Sequence, residues 1–271
     1  MRRDLIRVAN STIEYTKNYM KIHNDMRPQE VEVYSPDRIQ AVCDDDEFFE
    51  NHFRFTDGAK IYLANADSFE AAAGLDNALV LNFANAYNPG GGFLHGARAQ
   101  EESLCRCSTL YESISSEKAK EMYDYNNSSL DPCASDYMLL SRHVLVFRDK
   151  HLNNLDTPFW TSVVTAPAPN LNGEAALVPQ DTIDLIMLNR ILSLFYLAAR
   201  YGYRNLVLGA WGCGAFGHRT KNVAEYFRYL LIEKKYNQFF DNVVFAILND
   251  ENKISDFKSV FGDEIMMGLP E

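Results

Sequence analysis

Ala78-Leu79-Val80-Leu81-Asn82-Phe83, running on through Ala84-Asn85-Ala86-Tyr87-Asn88-Pro89-Gly90-Gly91-Gly92-Phe93, decides how the rest of the chain is read. The first six residues form a short, nearly continuous apolar run, which is how a strand buried on both faces looks. The loop behind it carries three glycines in succession and leads towards a helix bearing Gln100-Glu101-Glu102. Three missing Cβ atoms let a ligand or another backbone approach to contact distance, at a cost in chain entropy that a plain turn has little reason to carry. The segment reads as a ligand loop between a strand and a helix.

Outward from it, short apolar runs alternate with helical periodicity. Ile61–Ala64, Val144–Phe147, Trp160–Val164, Leu206–Leu208 and Val243–Leu248 read as strands. Helices are expected over 68–75, 98–113, 181–201 and 220–235, the third with apolar residues recurring at spacings of three and four (Ile183, Ile186, Met187, Ile191, Leu194, Phe195, Ala198). Such interleaving means an α/β fold: a mixed central sheet with helices on both faces. Residues 1–57 read as an accessory extension, with an amphipathic helix over 8–23 whose apolar candidates are Val8, Ile13, Tyr15, Tyr19 and Ile22. Polar, Pro-containing stretches (Arg27-Pro28-Gln29, Ser35-Pro36-Asp37) and the acidic run Asp44-Asp45-Asp46-Glu47, read as a solvated turn or helix start, complete it. Residues 58–271 are then the main domain.

A second glycine loop, Gly209-Ala210-Trp211-Gly212-Cys213-Gly214-Ala215-Phe216-Gly217, again lies between a strand and a helix. Exposed backbone amides before a helix start suit a diphosphate. Gly212, Gly214 and Gly217 also satisfy GxGxxG, with Glu233 further on, but the match falls late in the chain and leaves the first loop and the paired glutamates without a task.

Composition excludes several classes. With 26 Lys plus Arg against 37 Asp plus Glu, the chain of 271 residues has a net charge of −11, which argues against general nucleic-acid binding. The five cysteines (43, 105, 107, 133, 213) form no CxxC pair, so free thiols and a cytoplasmic, reducing setting are expected. No signal peptide is visible, and the apolar run Ile191–Ala199 is too short to span a bilayer. The six histidines show neither HExxH nor HxH spacing, so no metal site is expected, and His95 and His218 read as solvent-facing loop residues.

Adjacent residues on a helix point about 100° apart, so Glu101 and Glu102 do not flank one bond as a two-carboxylate glycosidase pair does. One can face a reacting centre while the other orients the ligand, and mutual charge with partial burial raises the pKa of one of them.

With these residues in view, Gly90-Gly91-Gly92, seven intervening residues and Gln100-Glu101-Glu102 resemble the GGG-X(6–8)-QEE signature of the poly(ADP-ribose) glycohydrolases. The run NFANAYNPGGGFLHGARAQEESLCRCSTLY (82–111) is similar to their compact microbial type, and GAWGCGAFG (209–217) resembles its diphosphate loop. The resemblance implies a three-layer macrodomain-like fold over 58–271 and hydrolysis of the ribose–ribose bond of poly(ADP-ribose) from chain ends, without cofactor or metal. It implies Glu102 as general acid/base and Glu101 as the residue holding ribose hydroxyls. Asn85, Gly90, Gly91, Gly92 and Gln100 would contact the distal ribose and diphosphate. Gly212, Cys213, Gly214, Ala215, Phe216 and Gly217 would wrap the diphosphate, with Phe216 packing on the ribose or adenosine. Asp67 is either a residue near adenine or the N-cap of the helix from Ser68. Arg98, Arg106 or Arg219 would add positive charge near the loops. A monomer without membrane or nucleic-acid partners is expected. The alternatives are a macrodomain that binds ADP-ribose without cleaving it, a hydrolase of mono-ADP-ribose on protein or nucleic acid, and a nicotinamide-dependent oxidoreductase.

Overall fold

A computed structural model of the chain describes residues 2–23, 30–45, 47–49 and 58–270. Arg27-Pro28-Gln29 and Asp46 lie outside the described residues. The chain divides into two compact units: Met1–Ser35 with Asn82–Pro167, and Pro36–Leu81 with Ala168–Glu271. Residues 1–57 are thus shared between the units, and the strand that opens the glycine loop begins in the second and ends in the first.

The second unit holds β2 (Lys60–Ala64), the first half of β3 (Ala78–Ala84), β6 (Asn205–Leu208), β7 (Asn242–Ala246) and β8 (Met266–Met267), in the order β3-β6-β7-β2-β8 with parallel pairing throughout. Val80–Leu81, Leu206–Leu208 and Val243–Phe245 are buried without alternation, so both faces of these strands are covered. Phe245 meets Phe227 of the helix Thr220–Arg228 and Phe257 and Phe261 of the helix Glu251–Phe261, with ring centroids 4.9–5.3 Å apart. The helix Gln180–Arg200 is long and apolar enough by composition to cross a membrane, but its Ile183, Met187, Ile191, Leu194, Phe195 and Ala198 are buried in the unit, as the periodicity predicts. Pro36 opens the helix Pro36–Cys43, where a missing N–H costs nothing. Beyond it Asp45 accepts from the Phe48 N–H at 3.1 Å and pairs with Arg200, and Glu47 is helical, so the described part of the acidic run fits the helix-start reading. Asp67 accepts from the N–H groups of Phe69 and Glu70 in a capping box, which realises the N-cap reading.

The first unit holds β1 (Glu32–Tyr34), β4 (Met138–Arg148), β5 (Asn154–Pro167) and the end of β3, in the order β1-β4-β5-β3. β4 and β5 form a long antiparallel hairpin of which the sequence shows only the middle, because exposed Arg142 and His143 interrupt one apolar run and most of Asn154–Trp160 is exposed or half-buried. The helix expected over 98–113 is two, Gln100–Cys107 and Leu110–Ile114, parted where Ser108 extends to bridge Val146.

The N-terminal helix runs from Arg2 to Ile22, and its buried residues are Ala9, Thr12 and Thr16, so the buried stripe is offset from the apolar one. Tyr15 and Ile22 stay exposed, though Tyr15 stacks on Phe147 at 4.1 Å. Hydrogen bonding explains the offset. The single Thr12 hydroxyl hydrogen is shared between the Val8 and Arg106 carbonyls, and the oxygen accepts from the buried Arg148 guanidinium, which also reaches Arg106 O and Ser11 Oγ. Thr12→Val leaves Arg148 short of an acceptor, and a loss of about 1–3 kcal/mol is expected in urea unfolding. Thr16→Val, whose hydroxyl bonds back to Thr12 O within the helix, should cost less. Equal costs would show that the Arg148 network contributes nothing.

Candidate active site

In the first unit, β3 and the loop just past it place Asn82 and Asn85 against the first turn of the helix Gln100–Cys107. Glu101 and Glu102 are buried, at 3% and 6% exposure, so the pair does not lie on a solvated helix face. Their carboxylates diverge as the helix geometry requires. Glu101 Oε2 accepts from Asn85 N–H at 2.8 Å, and Oε1 from Asn82 Nδ2 at 3.3 Å. Glu102 Oε1 accepts from Gly92 N–H at 2.8 Å, while its Oε2 is buried with no hydrogen-bond partner among the described residues. Gln100 Oε1 accepts from Phe83 N–H at 2.9 Å and ties the helix start to β3.

Gly91 is demanded by these carboxylates and Gly92 by the segment that follows it. A Cβ on Gly91 would stand 2.6 Å from Glu102 Oε1 and 3.1 Å from Glu101 Oε2, and its φ of +55° is left-handed backbone. A Cβ on Gly92 would strike Ala97 Cβ at 2.6 Å. The loop is held from behind by two asparagines, Asn126 to the Ala86 carbonyl at 3.0 Å and Asn127 to that of Tyr87 at 2.9 Å. Asn85 Oδ1 accepts from the N–H groups of Tyr87 and Asn88, so its side chain also builds the turn. Arg106 is buried and donates to the Ala97 carbonyl at 2.7 Å, bracing the segment between glycine loop and helix, whereas Arg98 is exposed.

Burial, above all, pushes the Glu101 carboxyl up to about 8, with the neighbouring Glu102 adding to the effect and the N–H groups of Asn85 and Gly90 and the Asn82 amide opposing it. The carboxyl raised by burial is thus the one facing β3. For an acid, a folded-state value above the ordinary 4.5 means that the folded protein binds the extra proton between pH 4.5 and about 8, so this contribution to stability falls as pH rises through that window. Glu101→Gln should remove the slope: urea midpoints measured from pH 5 to 8 should decline more in the wild type than in the variant. Parallel curves would contradict the assignment.

The second glycine loop lies wholly within the second unit. Gly212 and Gly217 have φ of +77° and +79°. A Cβ on Gly212 would lie 2.6 Å from the His218 ring, which is buried and bonds the Pro169 carbonyl through Nε2 at 2.7 Å. His218 is therefore a structural core residue rather than a solvent-facing one, and burial lowers its pKa. His95 is exposed, as expected. The carbonyls of Ala215 and Phe216 are taken by Asn172 Nδ2 and Leu171 N–H, both at 2.9 Å. Among the described residues the N–H groups of Gly214, Ala215 and Phe216 have no acceptor, and they stand at an exposed or half-buried surface. Such a row of amides is a ready anion seat. Cys213 is half-buried, its thiol pushed up to about 12 by burial, and Arg219 is exposed. Phe216 is half-buried and so is not ordinary core. Among the described residues no group of three or more His, Cys, Asp or Glu side chains is placed to hold a metal ion.

Sequence reasoning named the two glutamates and the glycines but missed Asn82, the bracing role of Arg106 and the asparagine pair. Asn82 did leave a signal: an amide inside an apolar strand.

The chain is similar to solved bacterial enzymes. The poly(ADP-ribose) glycohydrolase of Thermomonospora curvata is 29% identical, with a TM-score of 0.84 covering 96% of this chain and 100% of that one. The same enzyme bound to the inhibitor ADP-HPD gives 28%, 0.80, 95% and 99%. The glycohydrolase of Deinococcus radiodurans in complex with ADP-ribose is 32% identical, with a TM-score of 0.78 covering 87% of this chain and 95% of that one. No curated protein sequence matches the chain. The family model "Microbial-type PARG, catalytic domain" matches residues 7–149, which include the GGG loop, the QEE helix and most of the first unit. The chain belongs to the microbial-type poly(ADP-ribose) glycohydrolases.

Proposed function

We propose that this glycohydrolase cleaves the ribose–ribose bond of poly(ADP-ribose) from chain ends, with Glu102 as the acid that protonates the departing oxygen. One observation carries the reading: Glu102 is fixed through Oε1 by Gly92 N–H while Oε2, equally buried, has no protein partner. A buried carboxyl oxygen left unpaired is costly, and a substrate oxygen delivered to it would supply the missing bond. Departure of the alcohol leaves an oxocarbenium-like centre, and the Glu102 carboxylate then takes a proton from the water that adds to it. The proton given in the first half is recovered in the second, so no external acid is consumed. Glu101, neutral over much of the physiological range, can donate to or accept from a ribose hydroxyl beside the bond. The unpaired amides of Gly214–Phe216 support a diphosphate at the second loop, by N–H dipoles rather than cationic side chains. Among the described residues the five cysteines form no disulfide, which fits a reducing compartment.

The test is incubation with poly(ADP-ribose) and, separately, with a mono-ADP-ribosylated protein, followed by product identification. Free ADP-ribose from the polymer with the last unit left on protein supports the proposal. Release from the mono-modified protein alone would move the activity to the mono-ADP-ribose class, and binding without release would make the chain a reader.

A further inference from the structure

Asn82 sits in β3 at 0% exposure, where the strand's neighbours are apolar and packing gives no reason for an amide. Its Nδ2 donates to two acceptors at once, Glu101 Oε1 at 3.3 Å and Thr165 Oγ1 of β5 at 3.1 Å. Its Oδ1 is buried and has no hydrogen-bond partner. We propose that Asn82, held by Thr165, is a positioning residue that partners the Glu101 carboxyl in both of its protonation states. The inference rests on the reading above, in which the glutamate pair serves the reaction.

The chemistry follows from donor and acceptor counts. An ionised Glu101 only accepts, and the two Nδ2 hydrogens serve it and Thr165 together. Once the carboxyl carries a proton it can donate. A half-turn of the amide then puts Oδ1 where Nδ2 stood, and its two lone pairs accept from the Glu101 O–H and from the Thr165 hydroxyl, which rotates to suit. In either orientation one amide atom faces away unpaired, so the orphan favours neither state strongly. Asn85 N–H, by contrast, is a fixed donor to Oε2 in either state and cannot accept the proton that Oε1 gains. The titratable groups that bear on Glu101 are Glu102 and Cys105 from its own helix and Tyr123, a buried phenol of the helix Lys120–Ser128. Among the described residues none of these three is hydrogen-bonded to Oε1, where Asn82 makes its contact.

The experiment is an NMR titration of the full chain, following the Glu101 carboxyl carbon, assigned with Glu101→Gln, and the Asn82 side-chain amide. The Asn82 resonances should move with the same midpoint as the Glu101 carbon and stop moving in Glu101→Gln. Hydrogen bonds to a charged carboxylate are roughly twice as strong as neutral ones, so Asn82→Leu should raise the Glu101 midpoint by about one pH unit. Thr165→Val should raise it less. If Asn82→Leu fails to fold, the wild-type and Thr165→Val titrations decide. Asn82 resonances that stay flat while Glu101 titrates, or a Glu101 midpoint unmoved in the variants, would overturn the proposal, because a merely space-filling amide changes stability without touching that midpoint. Release of ADP-ribose from polymer is assayed separately on the wild type, so a failure of the functional reading shows there and not in the titration.

Discussion

Glu102→Gln should lose about 10²–10⁴-fold in turnover of poly(ADP-ribose) while keeping its affinity for ADP-ribose. Glutamine retains an Oε1 that can accept from Gly92 N–H, so the 2.8 Å contact that shapes the loop survives and the change is confined to proton transfer. The buried Oε2 is replaced by an amide nitrogen that can donate a hydrogen bond but cannot deliver a proton to a leaving alkoxide. Calorimetry with ADP-ribose and a product assay on polymer separate binding from chemistry. Turnover within about tenfold of wild type would remove Glu102 from the role of general acid.

Gly91→Ala should separate activity from stability. Its new Cβ would press on Glu102 Oε1 at 2.6 Å and on Glu101 Oε2 at 3.1 Å. Both are tips of side chains, so the fold can absorb the clash by turning the carboxylates aside, and the remaining penalty is that of an alanine at left-handed φ, about 1–2 kcal/mol. The displacement falls on the reacting groups themselves, where a misplacement of about 1 Å costs on the order of 10²-fold in rate. The expected result is a variant with modestly lowered unfolding midpoint and at least that loss of kcat. Gly214→Ala is the stability control: its Cβ would meet nothing within 4 Å, and its unfolding free energy should stay within about 0.5 kcal/mol of wild type. Wild-type kcat in Gly91→Ala would mean that the carboxylates tolerate the methyl and that the loop glycine answers to something else.

Much of this was legible in the residues. The strand over 78–84, the long helix from Gln180 and the parallel strands of the second unit announce themselves because each buries a continuous or 3.6-periodic apolar face. The short helices Pro36–Cys43 and Lys120–Ser128 and the edge strands β1 and β8 did not, since their few buried positions make no period long enough to read. The N-terminal helix misled in a more instructive way. Its buried stripe is made of Ala9, Thr12 and Thr16, where small size and hydroxyl bonding to Arg106 O and Arg148 outweigh hydrophobicity. His218 misled for a related reason, because a loop residue under a glycine is buried by what folds over it.

The sequence by itself determined the chemistry on offer: three glycines, a pair of acids in the first turn of the next helix, and a second amide-rich loop. Spacing and residue type suffice for that, because they are properties of the local chain. Only the tertiary structure decided where each acid points and what it bonds. Glu101 and Glu102 are chemically identical and adjacent, and they diverge because the helix turns about 100° per residue, aiming one at the amides of Asn82 and Asn85 and the other at Gly92. Burial then lifts the first to about 8 and leaves the second with a buried oxygen unpaired, and neither burial nor a missing partner is a property of any stretch of chain taken alone.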